Sequence, residues 1–191
     1  MIIKYSISIL LLFGVLACSQ APKLDLYTLD TSTNTKVHKT VYKTKSIKVV
    51  YPQSLREAIS EKMNFSYSNS EQGSYQNSQW SNHLAKLLQA NFIETLEESH
   101  LFKAVLSDSS TAQENYRLES NIFAFHHRVR GEASHAIVSI QFNLINAQTG
   151  QLVKSKRLSY QESTTSLDAK GYAQATNRIL QRLSQDLLLW L

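Results

Sequence analysis

The sequence predicts an α+β domain: a single mixed or antiparallel sheet with two amphipathic helices packed on one face. Three observations predict it. Two long stretches, near residues 80–100 and 168–190, repeat apolar residues at three- and four-residue steps. Several shorter stretches alternate apolar and polar residues, the period of a half-buried strand. Three of these follow one another directly before the second helix, an order that favours adjacent antiparallel strands. A chain of 191 residues, 42% hydrophobic and 18% charged, is one domain's worth and can form a core.

Val41–Tyr51 alternates, with Ile47, Val49 and Tyr51 on one face, and Pro52 ends it because proline has no amide to donate. Met63, Phe65 and Tyr67 mark a short edge strand, followed by a polar loop over residues 69–78. The first helix opens at Trp80, carries Leu84, Leu87, Leu88, Ala90, Ile93 and Leu96 on its stripe, takes Asn77 or Ser78 as its cap, and ends near His100. A short strand follows over Phe102–Leu106. Tyr116–Arg130 is a long strand with Leu118, Ile122 and Ala124 on one face and Phe123, Phe125 and Val129 on the other. Ala136–Asn146 shows Val138, Ile140, Phe142 and Leu144 on one face, and a hairpin with Gly150 at positive φ returns the chain through Leu152–Glu162. The closing helix, from about Asp168 to Trp190, carries Tyr172, Ala175, Ile179, Leu183, Leu187 and Trp190.

The amino terminus reads as an address. Lys4 is followed by the apolar run Ile7–Leu16, too short to span a bilayer but of signal-peptide length. The only cysteine follows in Val15-Leu16-Ala17-Cys18-Ser19, a string that resembles the lipobox of bacterial lipoproteins. That resemblance implies cleavage before Cys18, diacylglycerol on its sulfur and an N-acyl chain on the new amine; two or more chains anchor stably where one does not. No other cofactor is expected. Ser19, rather than Asp, favours the outer membrane over inner-membrane retention by resemblance to the enterobacterial sorting rule. The expected organisation is a signal peptide over residues 1–17, a lipidated flexible tether over 18–35 and an auxiliary domain over 36–191.

Composition and motifs exclude much else. One cysteine rules out an internal disulfide framework, a cysteine zinc finger and an iron–sulfur cluster. The sequence holds no G-x-S-x-G elbow, no G-x-x-x-x-G-K-[ST] loop and no G-x-G-x-x-G turn, and the expectation is a protein without catalysis. The pair His126-His127 sits on a strand, where neighbours face opposite sides, so no metal site is expected there. Glu97-Glu98 reads as solvated helix charge. The lysines at 36, 39, 43, 45 and 48 form a basic run in a chain of formal net charge +5; a solvated strand face or contact with anionic headgroups explains it, and export argues against nucleic acid. Trp80 reads as a core residue fixing the first helix. Phe123 and Phe125, opposite Leu118 and Ile122, are the candidate partner or lipid contacts, because an apolar patch on the uncovered sheet face marks a binding surface.

Five features together resemble the ABC-type transport auxiliary lipoproteins, the PqiC/YmbA-like family: the lipobox cysteine, Tyr27-Thr28-Leu29, the strand end Ile47-Lys48-Val49-Val50-Tyr51-Pro52-Gln53-Ser54-Leu55, a helix of the form Trp80, Leu84, Leu88 followed by Asn91 and Leu96, and the closing amphipathic helix. The run Met63–Ser68 lacks the arginine that the family often carries after that leucine. The resemblance implies a fold similar to the TolB amino-terminal, anticodon-binding-like sandwich. It also implies a lipid-anchored, periplasmic auxiliary piece of an ABC/MCE-type lipid transport system, docking the assembly at the outer membrane. An MCE-domain protein is the expected partner, with homo-oligomers as a further possibility. The alternative function is an outer-membrane lipoprotein regulator of a cell-wall synthase; such regulators usually carry a long tether, which the short Ser19–Thr35 segment does not provide.

Overall fold

A computed structural model describes residues 22–30, 40–54 and 60–191. The signal-peptide segment, Cys18 and Ser19, Lys36 and Lys39 lie outside the described residues. The axis of the fold is the 15-residue strand β7, Tyr116–Arg130. On one edge it pairs antiparallel with β8, Ala133–Asn146, which pairs antiparallel with β9, Leu152–Ser163. Its other edge is shared by three short parallel strands: β2 (Ser46–Val49) beside Tyr116–Leu118, β3 (Gln53–Ser54) beside Asn121–Ile122 and β4 (Lys62–Ser66) beside His127–Arg128. Parallel β6 (Ala104–Ser107) lies outside β2. Antiparallel β5 (Gln72–Trp80) lies outside β4, and parallel β1 (Asp25–Tyr27) outside β5.

Helices α1, Leu84–Ser99, and α2, Ala169–Trp190, pack on one face of this mixed sheet, α1 over β2 and β6, α2 over β8 and β9. They touch through Thr95 Oγ1 and Ser184 Oγ, 3.0 Å apart. Leu88, Phe92 and Leu96 of α1, Ile179, Leu183 and Leu187 of α2, and Val138, Ile140, Phe142 and Leu144 of β8 are all buried between the layers, with Phe92 edge-on to Phe142. The amphipathic stripes and the alternation of β8 therefore meet in one core. No helix among the described residues is long and apolar enough to cross a membrane.

Four expectations change. The polar stretch at 69–78 is not a loop: Gln72–Trp80 is strand β5, paired with β4 at Gln72–Ser74 and Gln79 and with β1 at Ser78–Trp80, so backbone pairing holds both of its ends without an apolar alternation. Trp80 ends that strand instead of opening the helix, which starts at Leu84 with His83 as its cap and no side-chain bond from Asn77 or Ser78. Residues 40–44 form a turn, so Lys43 and Lys45 lie outside β2, and Lys48 within it is ion-paired to Glu114 at 2.9 Å. The segment expected as tether contains strand β1, and Leu29 just after it is buried in the core. The ordered domain therefore begins well before residue 36.

Candidate functional site

The placement of Phe123 and Phe125 follows from a bulge. The β7–β8 register slips between Ile122 and Ala124, leaving Phe123 as the extra residue. The slip turns Phe125 to the same side as Leu118 and Ile122. Phe125 is only 1% exposed and sits edge-on to Trp80 at 5.9 Å. The two phenylalanines thus do not share a face: Phe125 belongs to the core, while Phe123 and Ala124 lie on the face away from the helices. Strict alternation, counted through the bulge, puts Phe125 on the wrong side.

That uncovered face is mostly polar. From β8 and β9 it presents Ser139, Gln141, Asn143, Ser155, Arg157 and Ser159, set opposite one another by the register. The Arg157 guanidinium stacks on the Phe123 ring, its carbon 3.8 Å from the ring centroid. Its Nε donates to Ser139 Oγ at 2.8 Å, and Ser139 is hydrogen-bonded to Ser159 at 2.7 Å. Beside them opens a groove of about 370 Å³ lined by Ser66, Asn69, Gln72, His126 and Arg128 as well as Phe123 and Arg157. It presents positive charge and hydrogen-bond donors around one aromatic ring.

The face under the helices holds a second polar arrangement. His127 is fully buried, its ring stacked on Tyr172 of α2 at 5.3 Å with the planes 3° apart. The Tyr75 hydroxyl of β5 lies 2.6 Å from His127 Nδ1. Burial, reinforced by Asp168, pushes the Tyr75 hydroxyl up to about 12, so it stays protonated. Burial likewise pushes His127 down to about 4 and keeps the imidazole neutral. Nε2 is buried and has no hydrogen-bond partner among the described residues. His126, one residue earlier, faces the groove on the other side, so the two imidazoles diverge.

Arg128, Arg157 and Tyr75 were not legible as site residues. Arg157 reaches Phe123 across two strand registers and a bulge, neither of which a linear pattern displays. Tyr75 sits in a stretch that reads as loop. Phe123 and the adjacent histidines were the visible signals, and the period of two does separate the faces of the two imidazoles.

A family model described as ABC-type transport auxiliary lipoprotein component matches residues 27–187. Among solved structures, a protein of family DUF330 from Xanthomonas campestris is similar over 86% of this chain and 93% of its own, with a TM-score of 0.78 at 18% identity. A second crystal structure, of an uncharacterized protein, covers 87% of this chain and 97% of its own with a TM-score of 0.67 at 12% identity. At such identities the likeness shows a shared fold. No curated protein matches the chain. The family match runs from β1 through nearly all of α2, and on it the chain belongs to the family of ABC-type transport auxiliary lipoprotein components.

Proposed function

We propose that the protein is a lipid-anchored, non-catalytic auxiliary component of an ABC/MCE-type lipid transport system, held at the periplasmic face of the outer membrane through Cys18, where it docks the transporter's MCE-domain protein. The observation that carries this reading is the family match across the folded domain; the lipobox Val15-Leu16-Ala17-Cys18 ahead of it supports the anchor. The position of β1 supports a role close to the bilayer. Asp25 lies seven positions beyond Cys18, and a fully extended chain over those seven steps reaches at most roughly 25 Å. The exposed Leu24 and Leu26 lie at that end of the domain. A domain confined so closely meets a partner at high effective concentration, and even a weak contact is then populated. The same short reach disfavours a regulator that must cross the periplasm to a cell-wall synthase.

Two measurements test the reading. Cys18→Ser should leave the protein as an uncleaved precursor or release it from membranes; mature-sized Cys18→Ser protein still co-fractionating with membranes would remove the anchor. Crosslinking in intact cells should join the wild-type chain to the MCE-domain protein encoded with its ABC permease. Failure to crosslink while the lipid is present would refute the docking role and leave the anchor standing.

A further inference from the structure

We propose that the groove on the uncovered face of the sheet binds a phosphate-type oxyanion, a phosphomonoester or phosphodiester group. Three features of the groove select this chemistry. The first is its charge: Arg128 and Arg157 line it, and no carboxylate does among the described residues. Glu71 precedes Gln72 in the chain, but its side chain is not part of the lining. On β7 the nearest acid of this face, Glu119, pairs opposite Asn143. It lies four positions along the strand from Phe123, about 13 Å, beyond the screening length of about 8–10 Å at physiological salt. The positive charge of the groove is therefore not paired by any carboxylate within its own lining among the described residues.

The second feature is donor number. Arg157, which lines the groove, commits Nε to Ser139, and its terminal nitrogens have no hydrogen-bond partner among the described residues. Arg128 makes no ion pair among the described residues. With the amides of Asn69 and Gln72 and the Ser66 hydroxyl, the lining offers more donors than the two oxygens of a carboxylate can use; a tetrahedral oxyanion uses them. The third is preorganisation. The bulge fixes Phe123, the ring holds the guanidinium flat at 3.8 Å, and the Ser139–Ser159 pair fixes its Nε. A guanidinium fork already held in place loses little freedom on binding. At about 370 Å³ the groove has room for a phosphate and the first part of whatever carries it. The site rests on this geometry and stands apart from the transport reading.

The test uses the full lipidated chain in a phosphate-free nonionic detergent. Two probes, sn-glycerol 3-phosphate and dihexanoyl phosphatidylglycerol below its micelle concentration, are titrated by calorimetry. Saturable binding is expected, weakened at least tenfold in Arg157→Gln and in Arg128→Gln. Arg157→Lys, which keeps the charge but loses the fork and the stacking, should fall between wild type and Arg157→Gln. Arg130→Gln removes one charge at the exposed end of β7, outside the lining, and should bind as wild type. Binding of both probes identifies a phosphoester site that soluble ligands can fill; binding of the lipid alone identifies a headgroup site. Binding of neither probe overturns the proposal, as does an equal loss in Arg130→Gln, which would mean diffuse charge. Thermal melting of each variant confirms folding, and should one Arg157 variant fail to fold, Arg128→Gln carries the same comparison.

Discussion

Along one edge of β7 runs a single partner, β8, from Tyr116↔Asn146 to Arg130↔Ala133, interrupted only at Phe123. Along the other edge three short strands take turns. The two flanks are held by different forces. In the β7–β9 meander the side chains set the geometry: Val138, Ile140, Phe142 and Leu144 are all buried, and a one-residue slip would carry the whole set to the polar face. On the β1–β5 flank the strands are short and largely polar, and a few aromatic anchors hold them. Trp80 plugs the end of β5 against Phe125 and Tyr172. Phe65 lies over Gly73 so closely that a Cβ there would come within 2.7 Å of its ring, which makes the absence of a side chain at residue 73 part of the pairing. A long amphipathic strand fixes its own register; a short polar one borrows it from a neighbour and a plug.

Removing the plug is the harshest test of that difference. Trp80 is 1% exposed, and truncating a buried tryptophan costs about 3–5 kcal/mol. Trp80→Ala should lower the denaturant midpoint accordingly. Hydrogen exchange should show the amides of β1 and β5 losing protection well before those of β8. Equal protection in the two flanks of the variant would mean that the short strands do not depend on Trp80.

A smaller effect comes from the seam where the flanks meet. His127 on β7 binds Tyr75 of β5 on one side and stacks on Tyr172 of α2 on the other. Burial holds it at about 4, Asp168 opposing and His126 and His135 adding to the shift, against an ordinary value near 6.5. Between these values the unfolded chain takes up a proton that the folded chain refuses. Stability is therefore full above pH 6.5 and falls as the pH drops toward about 4, by at most roughly 3 kcal/mol. Denaturation midpoints at pH 7 and pH 5 should differ clearly in the wild type and much less in His127→Gln. Glu114 does not confuse the result. Its bonds to Lys48 and Arg117 hold its carboxyl at about 2, so its contribution is lost only as the pH falls from about 4.5 toward 2. An unchanged slope in His127→Gln would show that the buried imidazole is not the group refusing the proton.

The same contrast explains what could be read in advance. β8, α1 and α2 were legible because each puts one apolar face against the core, so burial writes its period into the sequence; β9, with Leu158 alone buried, was legible only as the return arm of the hairpin. Gly150 was legible because the hairpin needs positive φ, and it has φ of 70°. β5 was not: Gln72, Gln76 and Asn77 are exposed, and the strand is held by backbone pairing to β4 and, at Ser78–Trp80, to β1, which leaves no hydrophobic period. β1 is three residues long and was counted as tether for the same reason. At the groove, Phe123 was found but Phe125 was placed with it, because a bulge adds one residue without any marker of its own. Arg157 joins the site through a tertiary contact, and only the assembled sheet brings it there.

The meander flank has its own fine test, at the start of the helix that covers it. In the first turn of α2 the Gly171 amide donates to Asp168 Oδ1 at 2.8 Å, and Ser166 Oγ donates to the same oxygen at 2.6 Å. These two bonds, the Gly171 amide first, hold the Asp168 carboxyl below its usual range. A Cβ at residue 171 would lie 2.5 Å from the Ser166 carbonyl oxygen, and that atom is backbone. Two effects oppose each other in Gly171→Ala. Helix propensity favours alanine by about 1 kcal/mol, whereas forcing a methyl into a filled space costs about 1–3 kcal/mol. The steric term should win, for the loop cannot retreat freely: the next residue's carbonyl, Leu167 O, accepts from Tyr75. The variant should be less stable by about 1 kcal/mol, and the Asp168 carboxyl should titrate closer to its ordinary value as the cap loosens. Because α2 covers β8 and β9, exchange should quicken at the start of α2 and in the β9 residues beneath it. An alanine variant more stable than the wild type would show that the loop before α2 yields, and that helix propensity outweighs the close approach.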